Sequence, residues 1–333
     1  MTTTFLARSP EDVLAVVPIV LGFEPSDSIV LLTFGGLTRF HARVDLPPPG
    51  DPGALDEVCA MLLEPCLRHR VPRVLLVLYS DQPRQARAVA RRLRRELGRR
   101  RIEIVDCLRA DGRRWYAVDR RRSDVPATGL PYDAAAHPFR AQAVMAGHVT
   151  LGSREELAAQ VASDPAAVAR VTAELEGAAV LGAEDVATLV RRHTAAGTLL
   201  DDAELAGLLL AIRSPPVRDA TWIGLSRADA EAHVALWCDV VRRAPEELAG
   251  DAAAVLGLVC WIAGHGALAW CALDRCVAVM PQHSLGGLVA QLLRAAVSPT
   301  AWEAGRATAV EVDVGPDVGP GSGPRPCPGE APE

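Results

Sequence analysis

The segment of residues 21–48 constrains the fold more than any other part of the chain. It contains a polar turn, an apolar run of strand length, a Gly-Gly pair, a second strand and a proline stop: LGFEPSDSIVLLTFGGLTRFHARVDLPP. Two strand-like runs joined by Gly35-Gly36 predict a β-hairpin, because glycine readily adopts the positive φ angles of tight turns. A chain that begins this way needs a sheet, with further elements to cover it.

The next hundred residues alternate helix and strand patterns. Amphipathic patterns at 52–69 and 83–97 alternate with apolar runs at 74–79 and 102–108. Continuous apolar runs are typical of strands that are buried on both faces, and the alternation predicts right-handed crossovers. We therefore predict an α/β domain over residues 1–145, with a mixed, mostly parallel sheet and flanking helices.

The strand patterns stop near residue 145. Helix-period patterns follow over residues 146–300 and predict a separate α-helical domain. Residues 301–333 contain mainly Gly, Pro and acidic residues with little to bury, which is typical of a disordered tail.

The tail is expected to be dispensable for folding. Its few apolar groups cannot offset the entropy lost on ordering the chain. Truncation beyond residue 304 should leave the melting temperature unchanged within error, and a drop of several degrees would contradict the prediction.

Residues 250–281 fit one unit of the tetratricopeptide helix–turn–helix pattern. Gly257 falls where the first helix needs a small residue, Gly264 falls at the turn, Ala269 takes a packing position and Pro281 takes the terminal proline. No second copy follows at the same period. An ordinary packed helical hairpin explains the same residues, so both interpretations stay open.

Four stretches of the chain resemble a known family. They are GFEPSDSIVLL, ARVDLPPP, GHVTLGSREEL at 147–157 and WIAGHGALAWCALDRCVAVMPQHSLGGLVAQLL at 261–293. Together they are similar to the actinobacterial family numbered 4192 among the domains of unknown function. The resemblance implies no activity, substrate or cofactor. Family members carry closely spaced cysteines after the last strand, whereas residues 119–131 here contain none, so the resemblance implies no metal site there.

The composition excludes several kinds of chemistry. Arginine supplies all 35 positive charges, and the chain contains neither Lys nor Asn. A Schiff-base lysine, a P-loop lysine and Asn-linked glycosylation are therefore excluded. The sequence has no GxGxxG after a strand, no GxSxG and no HExxH motif. We predict no cofactor and no bound metal.

The apolar and cysteine patterns bear on location. No apolar run reaches the roughly 20 residues needed to cross a bilayer, and we see no secretory signal. The eight cysteines form no CxxC pair, and most lie in apolar surroundings, which suits reduced, buried thiols. We therefore expect a cytoplasmic protein that does not contact a membrane.

Polar residues follow the predicted strands at their carboxyl ends. Asp45 follows the second strand, and Ser80 and Asp81 follow the third. Ligands bind beyond these ends in open α/β sheets, so two carboxylates and a hydroxyl there could hold Mg²⁺ or activate a water. Helix capping by Asp81 and bracing of the proline turn by Asp45 are the alternatives. A weaker pair, Asp27-Ser28, precedes the first strand and suits a turn.

The stretch from Arg84 to Arg122 is strongly basic. It holds fifteen Arg against five acids, or 15 − 5 = +10, in a chain whose net charge is −6. Such asymmetry can mark a surface for nucleic-acid phosphates. The candidate contacts are Arg91, Arg94, Arg95, Trp115 and Tyr116, the two aromatic residues lying between arginine clusters. A solvated face, or one covered by the acidic helical half, is the alternative, and we expect no tight binding of nucleic acid.

Three function hypotheses follow. The leading one is a non-catalytic interaction or adaptor protein with a protein partner, which rests on the absent catalytic motifs and on the helical hairpin. The second is a metal-dependent hydrolase that uses Asp45 and Asp81. The third is a nucleic-acid-associated protein that uses the arginine-rich stretch.

Overall fold

The N-terminal half of the computed structural model forms one mixed sheet. The model describes residues 5–118 and 124–303, so the predicted tail lies outside the described residues except at its start. The strands are β1 (Ser28–Phe34), β2 (His41–Asp45), β3 (Arg73–Tyr79), β4 (Glu103–Ala110), β5 (Arg114–Ala117) and β6 (Leu130–Pro131). Their order across the sheet is β2-β1-β3-β4-β5-β6.

The prediction of a mixed sheet is confirmed, but the prediction that it is mostly parallel is wrong. Among the described strands only β3 and β4 pair in parallel. The β1–β2 hairpin turns at Gly35 and Gly36, both at positive φ, and β3 then joins the free edge of β1. The strands β2 and β3 run in the same direction with β1 between them, so the crossover between them does not create a parallel pair.

Helices cover both faces of the sheet. They are α1 (Pro10–Leu21), α2 (Pro52–Arg68), α3 (Pro83–Arg99) and α4 (Pro138–Met145). Alternate residues of β1 point to opposite sides: Ile29 and Leu31 pack with α2 and α3, whereas Val30 and Leu32 pack with α1. This arrangement explains the continuous apolar run, because both faces of the strand are buried.

The second half is helical. Its helices are α5 (Arg154–Ala159), α6 (Pro165–Glu174), α7 (Ala183–Ala196), α8 (Asp202–Ala211), α9 (Pro215–Ala220), α10 (Ala230–Arg243), α11 (Ala249–Ala263), α12 (Gly266–Val279) and α13 (Ser284–Arg294). The helix α11 is buried along nearly its whole length and packs against α10, α12 and α13. It is therefore the centre of the helical core. Among the described residues, no helix is both long and apolar enough to cross a membrane.

The two halves touch through a short backbone bridge. Glu24 N donates to Leu151 O at 3.0 Å, and Leu151 N donates to Gly22 O at 2.9 Å. The Phe23 side chain, 2% exposed, belongs to the helical core although its residue precedes β1. A ring nitrogen of His69 also lies 2.8 Å from the carbonyl oxygen of Ala295. The two halves therefore meet at Phe23 and at His69.

The fragment of residues 1–145 is expected to fold alone. It contains every described strand and the helices that cover both sheet faces. It should express as soluble protein and unfold in one cooperative transition by circular dichroism. A matched fragment of residues 1–160 restores Leu151 beside Phe23 and controls for exposure of that side chain. If both fragments yield only aggregate while the full chain is soluble, the division into two domains is wrong.

The helices α11 and α12 form a tight hairpin. Gly257 faces Leu273, whose Cδ2 lies 3.2 Å from the position that a Cβ on Gly257 would occupy. The Ala269 carbonyl oxygen lies 3.7 Å from that position, and the Ala269 side chain is completely buried. Small residues thus set the distance between the two helices.

Ala269→Leu is expected to destabilise the helical half by about 1–3 kcal/mol, the usual cost of overpacking a filled core. The matched control is Ala278→Leu, on the exposed side of α12, which should leave stability within about 0.5 kcal/mol. Urea unfolding of both variants measures the difference. Equal stability of the two variants would show that the helices do not cross closely at Ala269.

Candidate functional site

The predicted polar residues meet at one edge of the sheet. Because β2, β3 and β4 run in the same direction, their carboxyl ends lie at the same edge, together with the start of β1. Ser28 there pairs with Asp45 on one side and with Tyr79 on the other. This is the edge at which ligands bind in many α/β proteins, so it is the first candidate site.

Ser28 and Asp45 are joined through a residue that sequence reasoning missed, Arg43. The Arg43 Nε donates to Ser28 Oγ at 2.9 Å, and its guanidinium lies 2.6 Å from Asp45 Oδ1. The Ser28 hydroxyl donates to Ser26 O and is completely buried. Its proton is therefore committed to a carbonyl oxygen and its oxygen accepts from a cation. Burial lowers the pKa of Arg43, and the Asp45 carboxylate opposes that effect. The arrangement joins the start of β1 to the end of β2.

Ser80 and Asp81 lie in the turn between β3 and α3. Ser80 is buried, and its Oγ accepts from Gln82 N at 3.0 Å. The Ser80 carbonyl oxygen accepts from Arg109 at 2.9 Å. Asp81 is exposed and lies just before Gln82, the residue that caps the helix. The hydroxyl thus shapes the turn from strand to helix, while the carboxylate of Asp81 faces solvent.

The carboxylates of Asp45 and Asp81 follow two strands that are separated by β1. Asp45 and Tyr79 flank Ser28 across two strand spacings, so their backbones lie about 10 Å apart. The Asp45 carboxylate is paired with Arg43, and Asp81 is exposed to solvent. In the part of the chain that the structure describes, no group of three or more His, Cys, Asp or Glu residues could hold a metal ion.

A stacked arginine lies at the end of β4. The Arg109 guanidinium carbon is 3.6 Å from the centre of the Tyr116 ring, and Tyr116 OH donates to Asp111 Oδ2 at 2.7 Å. Burial would raise the pKa of Asp111, but hydrogen bonds from Tyr116 and from the backbone of Arg114 and Arg113 outweigh it and lower that pKa. The Asp111 carboxylate thus accepts hydrogen bonds across the β4–β5 turn and stabilises it in the ionised form.

Among the predicted nucleic-acid contacts, Trp115 lies on a different face of the sheet from the arginines. Arg91, Arg94 and Arg95 lie on α3, which covers one face of the sheet. Trp115 belongs to the core of the opposite face, is 2% exposed, and donates from Nε1 to Glu11 at 2.8 Å. Tyr116 is stacked with Arg109. The two aromatic residues therefore offer no exposed platform beside the α3 arginines.

A buried polar cluster in the helical half was not anticipated. It joins Arg218 of α9, Asp251 of α11 and His283, the residue that caps α13. Gly286 N donates to His283 Nδ1 at 3.1 Å, so the ring proton is on Nε2 and donates to Asp251 Oδ1 at 2.9 Å. His283 is the N-cap residue of α13. The cluster ties three helices together.

The described thiols with shifted pKa values are poor nucleophiles. Burial raises the pKa of Cys66, Cys238 and Cys276 to about 11 in each case. A cysteine nucleophile needs the opposite shift, toward neutral pH, to supply thiolate. These thiols pack as small apolar groups.

Comparison with known proteins identifies one family. The family model described as a domain of unknown function, DUF4192, matches residues 10–300. No curated protein matches the chain, and no solved structure matches it.

Proposed function

Because this chain belongs to the DUF4192 family, a domain of unknown function, we propose its role from its own geometry: a non-catalytic interaction protein whose helical half binds another polypeptide. The polar groups at the sheet edge support this proposal. Ser28, Arg43, Ser80 and Arg109 are all engaged in hydrogen bonds that join neighbouring parts of the sheet edge. A binding role uses the fold as a rigid support and requires no activated side chain.

The surface that carries the proposal is an apolar strip on α12 and α13. We define it by Val277, Met280 and Leu288, which are 53%, 38% and 51% exposed. The two helices pack through Cys276 and Gly286; Val277 follows Cys276 directly, and Leu288 lies two residues after Gly286. Large apolar side chains at such exposure are available to a partner.

The strip lies in a segment without formal charge. From residue 277 to residue 291 the sequence is VAVMPQHSLGGLVAQ, with no Asp, Glu or Arg, in a chain of which 23% is charged. The cores of protein–protein interfaces are depleted in charged residues. We therefore propose that the partner presents an apolar segment, such as one face of an amphipathic helix, and not a charged surface.

The hairpin supports the strip in a manner similar to a tetratricopeptide unit. Three observations support this part of the proposal: Gly257 stands at a close approach between the helices, Gly264 turns at positive φ, and Pro281 follows the second helix. In this proposal α11 is the buried support, and α12 with α13 presents the binding surface. The buried thiols favour a cytoplasmic location, where they stay reduced.

The test uses the full chain as bait in a native lysate treated with nuclease. The strip variant Val277→Glu/Leu288→Glu is compared with a matched control, Met145→Glu/Val149→Glu, whose exposed apolar residues lie on and after α4. A protein retained by the wild type and the control, and reduced at least tenfold by the strip variant, supports the proposal. Equal retention by the strip variant, or loss only in the control, would overturn it.

A further inference from the structure

The outer face of α3 carries a row of exposed arginines. Arg84, Arg87, Arg91 and Arg95 recur every three to four residues, so they lie on one side of the helix, about 5–6 Å apart along its axis. The opposite side is buried against the sheet through Ala86, Val89, Ala90, Leu93 and Leu97. We call these four arginines the α3 row.

The α3 row begins near the N-terminus of the helix, where the helix dipole disfavours positive charge. The first turn of α3 contains no acid, and its cap, Gln82, makes no side-chain hydrogen bond to the helix. Cations near a helix N-terminus are unfavourable, because the backbone dipole already carries about half a positive charge there. Arg84, the second residue of α3, therefore lies where the dipole disfavours its charge, and a residue that breaks a local rule without a structural gain indicates a functional surface.

Among the described residues, the ion pairs of α3 lie in its carboxyl-terminal half. Glu96, the single acid among the seventeen residues of α3, pairs with Arg92, Arg99 and Arg100 at 2.8–3.1 Å and lies 3.8 Å from Arg95. Over residues 5–118 and 124–303, no ion pair involves Arg84, Arg87 or Arg91, and none links α3 to the helical half. Cover by the acidic half was one reason to expect no nucleic-acid binding, and the described residues do not provide it.

We propose that the α3 row binds the sugar–phosphate backbone of duplex DNA without reading its bases. Arginine matches the paired oxygens of a phosphate through its planar fork. A protein partner is disfavoured because the row has no apolar anchor between its arginines. A single strand is disfavoured because such binding uses exposed aromatic side chains, and Trp115 is buried here.

The binding is weak and sensitive to salt. Binding through phosphates alone gives dissociation constants of about 1–100 μM near physiological salt, and log K falls with log salt in proportion to the phosphates neutralised. We therefore expect micromolar affinity at 50 mM NaCl and much weaker binding at 200 mM. This affinity is consistent with the expectation that the acidic chain as a whole does not bind nucleic acid tightly.

The experiment measures fluorescence anisotropy of a labelled 20-base-pair DNA duplex titrated with the full chain at several salt concentrations. Arg84→Gln/Arg87→Gln/Arg91→Gln is expected to weaken binding at least tenfold at 50 mM NaCl and to reduce the salt slope by about 2–3. The matched control, Arg191→Gln/Arg213→Gln/Arg227→Gln, removes three exposed arginines of the helical half and should change affinity less than twofold.

A second variant keeps the test independent of the folding of the first. Asp81→Asn removes the exposed carboxylate just before the cap of α3 and should tighten duplex binding about two- to threefold. Each of the following would overturn the proposal: no duplex binding up to 100 μM at 50 mM NaCl, equal loss in the control, or unchanged affinity of Asp81→Asn. Preferential binding of single-stranded DNA, duplex RNA or anionic vesicles would overturn it as well.

Discussion

Replacing Asp251 by alanine is expected to lower the free energy of unfolding of the helical half by about 3 kcal/mol. The carboxylate accepts from His283 at 2.9 Å and lies 3.4 Å from Arg218, whose side chain is only 6% exposed. Removing it leaves a buried ring N–H without an acceptor. Arg218 keeps Asp219 at 2.9 Å, so the loss falls at the low end of the range for breaking a buried pair. Urea unfolding followed by circular dichroism measures it.

The matched control is Asp274→Ala. Asp274 pairs with Arg154 at 3.2 Å, but both side chains are largely exposed, at 64% and 40%. Exposed ion pairs contribute less than about 1 kcal/mol, because water and salt screen them. If Asp251→Ala costs no more than Asp274→Ala, the buried cluster does not hold α9, α11 and α13 together.

Gly36→Ala is expected to destabilise the sheet half by about 2–5 kcal/mol. Gly36 has φ +83°, and a Cβ there would lie 2.6 Å from the His69 carbonyl oxygen and 3.2 Å from Val71 Cα. The cost has two parts, strain of a left-handed backbone and a collision with backbone atoms that cannot rotate away. Thermal and urea unfolding of the variant measure the sum.

Gly112→Ala separates the two parts. Gly112 has φ +87° but nothing within 4 Å of its Cβ position, so the substitution introduces only backbone strain. It should cost about 1–2 kcal/mol. Equal losses at Gly36 and Gly112 would mean that the β1–β2 turn does not press against the end of α2.

The order of elements in the sheet half could be predicted from the sequence, but the directions of neighbouring strands could not. Apolar runs such as residues 74–79 indicate burial on both faces, and that pattern is the same whether the neighbouring strand is parallel or antiparallel. The strand directions follow from the position of β1, which lies between β2 and β3 and is antiparallel to both. The short helices α4 and α9 could not be predicted for a different reason. Each begins at a proline, a usable start signal, but is too short to show periodicity.

The sheet edge could be predicted, whereas its bonding could not. Asp45 and Ser80 do lie at one edge, because both follow strands that run the same way. The insertion of β1 keeps them apart, and Arg43 and Arg109 reach their oxygens from positions that no local pattern marks. Their roles come from register and from rotamers, which depend on the assembled sheet.

Contacts between distant residues were the hardest to foresee. Trp115 lies between arginine clusters in sequence, yet its acceptor, Glu11, is 104 residues away on α1. Arg218 and Asp251 are 33 residues apart, and Asp251 and His283 are 32 apart. The packing of whole helices brings such pairs together. They therefore leave no short-range pattern in the sequence.

The most direct test of the proposed interaction role is site-specific photo-crosslinking from the α12–α13 strip. A photoreactive residue is placed at Leu288, 51% exposed on the strip, and in a matched protein at Leu199, 55% exposed between α7 and α8. After irradiation in native lysate, the account predicts a discrete higher-mass adduct from position 288, with one partner identified by mass spectrometry, and no such adduct from position 199. Adducts from position 199 alone, or from neither position, would contradict it.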